Sequence, residues 1–233
     1  MFWVPRIFLG SDTERNPMAN ILVIDSSARF ERSLSRQLSD AFVKSWKDQY
    51  PDYVFTFRDV AKNPPPHVTE EWIAAAFTDE ADRTDTQQKV LLTSDEITQE
   101  VLDADVIVIS APMYNYGMPS TLKAWVDQVV RIGKTFSFDL SRGAKPIEPI
   151  QTGKSMVILT SSGEGNFAAL GLQDHLDVHM KSASHLMGVS HHHSIRIEFQ
   201  EYGDEDKRFQ NSHKAALANI PSVIEAVIGE QSI

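Results

Sequence analysis

The stretch VLDADVIVISAPMYNYGMPSTLKAWVDQVVRIGKTF, residues 101–136, decides how the rest of this chain is read. Within it, Asp105-Val106-Ile107-Val108-Ile109-Ser110 is a short β-branched run with almost nothing polar inside it. Such a run suits a strand covered on both faces, as in the middle of a parallel sheet. A turn-rich segment follows over residues 111–119, carrying two Pro, an Asn, a Gly and two Tyr. Leu122, Trp125, Val126, Val129 and Val130 then recur at the spacing of one apolar helix face, and Pro119 with Ser120 suits its first turn and cap. Strand, aromatic loop and helix in that order are how an open α/β sheet presents a ligand-binding loop at a carboxyl end. Tyr114 and Tyr116 offer ring faces to a flat ligand, and the peptide groups around Asn115 and Gly117 offer donors and acceptors to a ring edge.

Toward the amino terminus, residues 20–25 (NILVID) form another buried-type strand, taken as the first. A hydroxyl-rich loop, SSARFERSLS, follows over residues 26–35. A helix is expected from Ser35, with Leu34, Leu38, Ala41, Phe42 and Trp46 on its apolar side, ending before Pro51. Residues 53–58 read as the second strand. Residues 61–93 are harder. Pro64-Pro65-Pro66 excludes regular structure, residues 70–77 suit one or two helical turns, and the polar residues 79–88 suit a mobile connection. Thr93 or Ser94 is expected to cap a helix running through Leu102, with Asp95 and Glu96 in its first turn.

Toward the carboxyl terminus, residues 134–153 read as a linker carrying Phe136 and Phe138. Residues 155–160 read as the fourth strand, followed by the loop Ser161-Ser162-Gly163-Glu164-Gly165. Residues 172–187 are helical in pattern, residues 193–199 alternate as an edge strand does, and residues 206–228 close the chain as a helix kinked or split at Pro221. Five strands separated by helical patterns imply an α/β, three-layer fold on a five-stranded parallel sheet. Glycine placement chooses between a dinucleotide-type and a flavodoxin-like arrangement. No Gly lies between Gly10 and Gly117, so the loop after the first strand cannot be a G-x-G-x-x-G or P-loop turn. A phosphate there would be held by serine hydroxyls and helix N-terminal amides, as a flavodoxin-like protein holds a mononucleotide.

The totals bound the rest. A chain of 233 residues is within the range of one α/β domain and needs no disulfide or metal for its core. A net charge of −10 argues against a nucleic-acid or anionic-membrane surface. The absence of Cys excludes disulfides, thiolate chemistry and Cys-ligated metal, and fits a reducing, cytoplasmic setting. No stretch approaches the roughly 20 apolar residues of a membrane span. The opening MFWVPRIFLG is broken by Pro5 and Arg6 and lacks the layout of a secretory signal. Residues 1–17 are therefore expected to be a disordered leader, or an upstream start ahead of Met18, and residues 18–233 the domain.

Ala111-Pro112-Met113-Tyr114-Asn115-Tyr116 through Pro119, with LeuLysAlaTrpValAsp and ArgIleGlyLysThrPhe after it, resembles the FMN-dependent NADH azoreductases, also described as NADH:quinone oxidoreductases. The resemblance spans residues 18–228. Ser26-Ser27 and Ser33-Leu34-Ser35 match that family's first loop, and Ser161-Ser162-Gly163-Glu164 resembles its third. Tyr116 stands where the family has Phe, and Ser162 and Glu164 depart from its S-R-G-G. The resemblance implies FMN held by Ser27, Ser33, Leu34 and Ser35 at its phosphate. It implies Met113, Tyr114, Asn115 and Tyr116, with Ser161, Ser162, Gly163 and Glu164, around its ring. It further implies NADH as donor, ping-pong hydride transfer through flavin N5, quinone and aromatic azo acceptors, a homodimer, and Phe136 and Phe138 at the substrate pocket. No side chain is assigned as an obligatory acid or base; the flavin carries the chemistry.

Simpler roles stand beside these. Taken alone, Ser27, Ser33 and Ser35 suit caps and turns; between a buried strand and a helix they converge on a positive helix end. Phe136 and Phe138 suit core packing as well as a pocket. His191-His192-His193 cannot chelate a metal as a unit, because neighbouring strand residues face opposite ways, so no metal site is expected. An electron carrier without its own nucleotide oxidation, and a serine hydrolase using the Asp25-Ser26-Ser27 turn, are the alternatives; the hydrolase would lack a G-x-S-x-G elbow.

Overall fold

The computed structural model describes residues 19–231, so the expected leader lies outside the described residues. Five parallel strands form the main sheet: β1 (Asn20–Asp25), β2 (Val54–Asp59), β3 (Val106–Pro112), β6 (Lys154–Ser161) and β7 (Val189–Ile197). Their order is β2-β1-β3-β6-β7, so the winding direction reverses between β1 and β3. Ligands bind at such a reversal, beyond the carboxyl ends of the strands. Every residue of β3 and of β6 is buried, which explains their unbroken apolar runs.

Successive side chains of a strand point to opposite faces, and here both faces are covered. Ile21 and Val23 face α1 (Leu34–Gln49) and α6 (Lys207–Gln231), meeting Leu38, Phe42, Ile220 and Ile224. Leu22 and Ile24 face the other layer, where α3 (Asp85–Asp103), α4 (Ser120–Val129) and α5 (His175–Ser184) bring Ile97, Trp125 and Met180. The fold is therefore the expected three-layer α/β arrangement. A short helix, α2 (Glu70–Ala76), packs Trp72 and Ala75 onto Leu91 of α3.

Several element boundaries differ from expectation, each for a physical reason. α3 begins at Asp85, not after Thr93 or Ser94. Thr84 caps it through a reciprocal capping box with Gln87, and the polar residues expected to be a mobile connection are a short 3-10 turn and helix. This first part of α3 has Leu91 as its buried contact, so it carries little apolar periodicity. Ser94 is instead buried, donating to the Gln128 carbonyl and accepting from Arg131. The linker contains an antiparallel hairpin, β4 (Phe136–Phe138) with β5 (Ile147–Pro149). The expected helix over residues 172–187 is α-helical in its middle, α5, and tightens to a 3-10 turn at His185–Met187. α6 passes through Pro221 without splitting, because Ile220, Val223, Ile224 and Val227 are buried on both sides of it. That packing outweighs the roughly 3 kcal/mol an internal proline costs.

Candidate functional site

Three loops leave the carboxyl ends of β1, β3 and β6. The first is tied to its neighbour strand at once: the Ser26 amide and hydroxyl both donate to the Ser110 carbonyl, at 3.0 and 2.8 Å. Ser33 then caps α1, its hydroxyl accepting from the Arg36 amide at 3.3 Å. Ser35 lies beside it, the two hydroxyl oxygens 3.2 Å apart. Ser27, Ser33 and Ser35 are all buried, and the first-turn amides of Leu34 and Ser35 have no acceptor within the helix. Hydroxyls and free amides thus converge on the positive end of α1, a fit to a phosphate group.

Sequence reasoning missed what holds this loop in shape. The Arg36 guanidinium grips Asp59 of β2 with two hydrogen bonds of 2.8 and 2.9 Å, and lies 3.7 Å from the Asp25 carboxylate. It also donates to the carbonyls of Ser27 and Arg29. Burial works against ionisation of Asp59, but the Arg36 hydrogen bonds and the amides of Lys62 and Ala61 bring it below the ordinary carboxylate value. For Asp25 burial wins and the carboxyl is pushed up, although the nearby Arg36 guanidinium works the other way. One signal was present in the sequence: a cation in the first turn of a helix is unfavourable unless something pairs with it.

The second loop is a tight turn. Tyr114 and Gly117 exchange both backbone hydrogen bonds, at 2.9 and 3.0 Å, with Asn115 at φ 50° and Tyr116 at φ 65°. Two left-handed central residues make a type I′ turn. The Gly117 amide is therefore used inside the turn and is not free for a ring edge, where it had been expected to serve; the Asn115 amide has no partner among the described residues. Tyr116 sets its ring edge-on to Phe167, with centroids 6.4 Å apart.

Hydrogen bonds join the three loops at a single rim. The Ala28 amide donates to the Tyr114 hydroxyl at 3.3 Å, and the Met113 amide donates to the Ser161 carbonyl at 2.7 Å. The cleft between them is lined by Ser27, Ser33 and Leu34 from the first loop and by Met113 and Tyr114 from the second. Ser161, Ser162 and Gly163 line it from the third. Ser35 sits behind Ser33, Asn115 and Tyr116 form the turn at the rim, and Glu164 turns away to the Tyr202 hydroxyl at 2.9 Å. Phe136 and Phe138 are in the β4–β5 hairpin and do not line this cleft.

The third loop is clamped by the segment after β7, also unseen in sequence. The Ser162 and Gly163 carbonyls accept from the amides of Gln200 and Glu201, and Ser162 donates its amide to Ile197. A Cβ at Gly163 would lie 2.4 Å from the Glu201 side chain, so this position is closed to larger residues unless Glu201 moves. Gln200 and Glu201 line the cleft, as do Arg29 and Arg32.

The histidine run behaves as strand geometry requires. His193 and His191 face Glu230 of α6, at 2.9 and 3.6 Å, while His192 turns to the Ser184 hydroxyl at 2.8 Å. Ser184 is fully buried, so this serine–histidine pair cannot meet a substrate. The Ser26 and Ser27 hydroxyls bond to backbone, not to a histidine, which leaves the hydrolase alternative without its base. Among the described residues no cluster of His, Asp or Glu is arranged to hold a metal, and no helix is long and apolar enough to cross a membrane.

Residues 19–220 match a family described as having a flavodoxin-like fold. The chain is 42% identical to the FMN-dependent NADH:quinone oxidoreductase 2 of Idiomarina loihiensis over 93% of its own length and 92% of that protein. It is 40% identical to the protein of the same description from Colwellia psychrerythraea, over 91% and 98% of the two chains. The solved structure of an azoreductase from Bacillus anthracis superposes with a TM-score of 0.78 at 22% identity, covering 89% of this chain and 99% of that one, a likeness of fold. The chain belongs to the flavodoxin-like family of FMN-dependent NADH:quinone oxidoreductases.

Proposed function

We propose that the rim cleft seats FMN, its phosphate in the serine cradle of the first loop and its ring system between the second and third loops. The observation that carries this reading is the joining of all three loops at one rim through the Ala28–Tyr114 and Met113–Ser161 hydrogen bonds. The protein is an FMN-dependent oxidoreductase that takes electrons from NADH and passes them to quinones. When bound, FMN supplies the two-electron chemistry that connects donor and acceptor. Aromatic azo compounds are acceptors at the same site.

The chain's own part is holding, orienting and excluding water. Ser27, Ser33 and Ser35 donate to the phosphate together with the amides of Leu34 and Ser35, at the positive end of α1. Tyr114, pinned to Ala28, and Met113 flank the ring. The amides of Asn115 and Gly163, which have no partner among the described residues, would serve as donors to its polar edge. Protons come from solvent.

The working unit is a homodimer. Ile73 on α2 and Phe77 just past its end, with Phe138, Leu140, Ile147 and Ile150 on the hairpin, are large apolar side chains 45% or more exposed. Such an apolar surface suits burial against a second copy. Phe136 and Phe138 then line the acceptor side of the site across the subunit boundary. The enzyme works in the cytoplasm, a setting with which a Cys-free chain agrees.

The test is direct. Purified protein releases a chromophore identified by mass as FMN, NADH alone bleaches it without oxygen, and menadione and methyl red restore the colour with turnover. A protein that takes up no FMN removes the reading. One that holds FMN but is not bleached by NADH is an electron carrier. Light scattering of the native protein and of Phe77→Glu checks the dimer, with a monomer expected only for the variant.

A further inference from the structure

Two depressions meet at the first loop. The cleft just described and a second groove, between α1 and the segment joining β7 to α6, share Arg29, Arg32, Leu34 and Gln200; the second adds Asp204 and Phe209. Arg29 and Arg32 are exposed, and neither forms an ion pair among the described residues. Arg36 nearby is occupied by Asp59 and Asp25 and offers no free charge. Two unpaired arginines facing one groove of a chain with net charge −10 make a local anion-attracting surface.

We propose that the second groove receives the adenosine diphosphate half of the reduced nucleotide donor, an inference that rests on FMN occupying the neighbouring cleft. In both nucleotides one sugar-length unit separates the reacting ring from the phosphate. A donor ring stacked on the flavin ring, with the two chains running the same way, brings the donor pyrophosphate to the rim where Arg29 and Arg32 stand. The guanidinium fork matches phosphate oxygens in pairs. Farther along, the Asp204 carboxylate accepts from the adenosine ribose hydroxyls, and Leu34 and Phe209 offer apolar surface to the adenine. A carboxylate there bonds the free diol of NADH and repels the 2′-phosphate of NADPH, so the groove favours NADH.

The experiment uses the FMN-loaded protein. Replacing Arg29 and Arg32 together by Gln is expected to raise KM for NADH about tenfold or more, the loss of at least one charge-assisted hydrogen bond. The loss with N-benzyl-1,4-dihydronicotinamide, a donor without phosphates, should be far smaller. Calorimetric titration with ADP-ribose, which carries no nicotinamide, should show the same weakening. Asp204→Asn should raise the NADPH-to-NADH ratio of kcat/KM. Equal losses with both donors, or unchanged ADP-ribose affinity, overturn the assignment. So does a double variant that sheds FMN yet still binds ADP-ribose as before, for then the arginines serve the flavin phosphate. Failure of the underlying reading has its own signature, a wild-type protein that binds no FMN, and it overturns both.

Discussion

Replacing Arg36 by Leu should cost the fold about 2–3 kcal/mol at neutral pH, between the roughly 0–1 kcal/mol of an exposed ion pair and the roughly 3–5 kcal/mol of a broken buried one. The intermediate value follows from exposure. The Arg36 side chain is 13% exposed and Asp59 and Asp25 are 24% and 22%, so water partly solvates the carboxylates left behind. Five guanidinium hydrogen bonds disappear together, two to Asp59, two to the Ser27 carbonyl and one to the Arg29 carbonyl. The pH dependence has a definite sign. Asp59 titrates below its ordinary 3.8 in the folded protein, so its stabilisation is complete above that value and is lost as pH falls through the lowered one. Asp25 is raised, so it favours folding at acid pH and opposes it as pH rises through the raised value; removing Arg36 enlarges that opposition. The Asp25 effect makes the gap between wild type and variant widest near pH 7 and narrower near pH 4, and the Asp59 effect narrows it further only below 3.8. Urea unfolding of the FMN-free proteins at the two pH values measures it, and Arg36→Lys, which keeps the charge without the fork, should recover about half. A gap below about 1 kcal/mol at pH 7, or one that does not shrink in acid, refutes the argument.

Replacing Ser27 and Ser35 together by Ala should weaken FMN binding by more than about a hundredfold, since two hydrogen bonds to a charged group contribute roughly 1.5–3 kcal/mol each, while circular dichroism stays unchanged. Unaltered quenching of FMN fluorescence on binding to that variant would remove the phosphate from the cradle. Tyr116→Gly should be about 1 kcal/mol more stable than Tyr116→Ala, because both lose the ring contact with Phe167 but only glycine relieves the left-handed backbone; equal urea midpoints would show that the turn is not held at positive φ. Gly163→Ala pushes a methyl group into Glu201 and should destabilise by about 1–3 kcal/mol. Its thermal midpoint should recover in combination with Glu201→Ala, and failure to recover would mean that the close approach is relaxed elsewhere.

How much could be read beforehand divides along a physical line. β3 and β6 were legible because both faces of each are buried, so their apolar runs survive without knowledge of their neighbours. The gathering of Ser27, Ser33 and Ser35 at the start of α1 was legible because strand, hydroxyl-rich turn and helix are consecutive in sequence. The start of α3 was missed because its first two turns are polar, although Thr84 and Gln87 carried the capping signature. The Arg36–Asp59 pair joins positions far apart in sequence and depends on β2 lying next to β1. The clamp of Gln200, Glu201 and Tyr202 on the third loop likewise exists only once β7 lies beside β6. Local pattern therefore placed two sides of the cleft, whereas the contacts that stiffen it belong to sheet order.

The backbone strain falls where that stiffness is needed. Among the described residues the non-glycine positions with positive φ are Asn115, Tyr116, Asn166 and Phe199, and all lie on loops after β3, β6 and β7 at the carboxyl rim. Asn tolerates this conformation; Tyr and Phe incur about 1–2 kcal/mol each. A fully buried sheet interior offsets such a cost, and the larger rings gain contacts that glycine could not make: Tyr116 meets Phe167, and Phe199 meets Tyr202 with centroids 5.9 Å apart. Each ring thereby locks a turn whose backbone would otherwise sample several conformations. A turn fixed in advance loses less entropy when a ligand docks, so the strain at this rim favours binding rather than folding. The first loop has no such outlier. There the shape is held by the Arg36 ion pairs and hydrogen bonds, so the α1 end of the cleft is rigid through charge and the opposite end, at the turn after β3, through sterics.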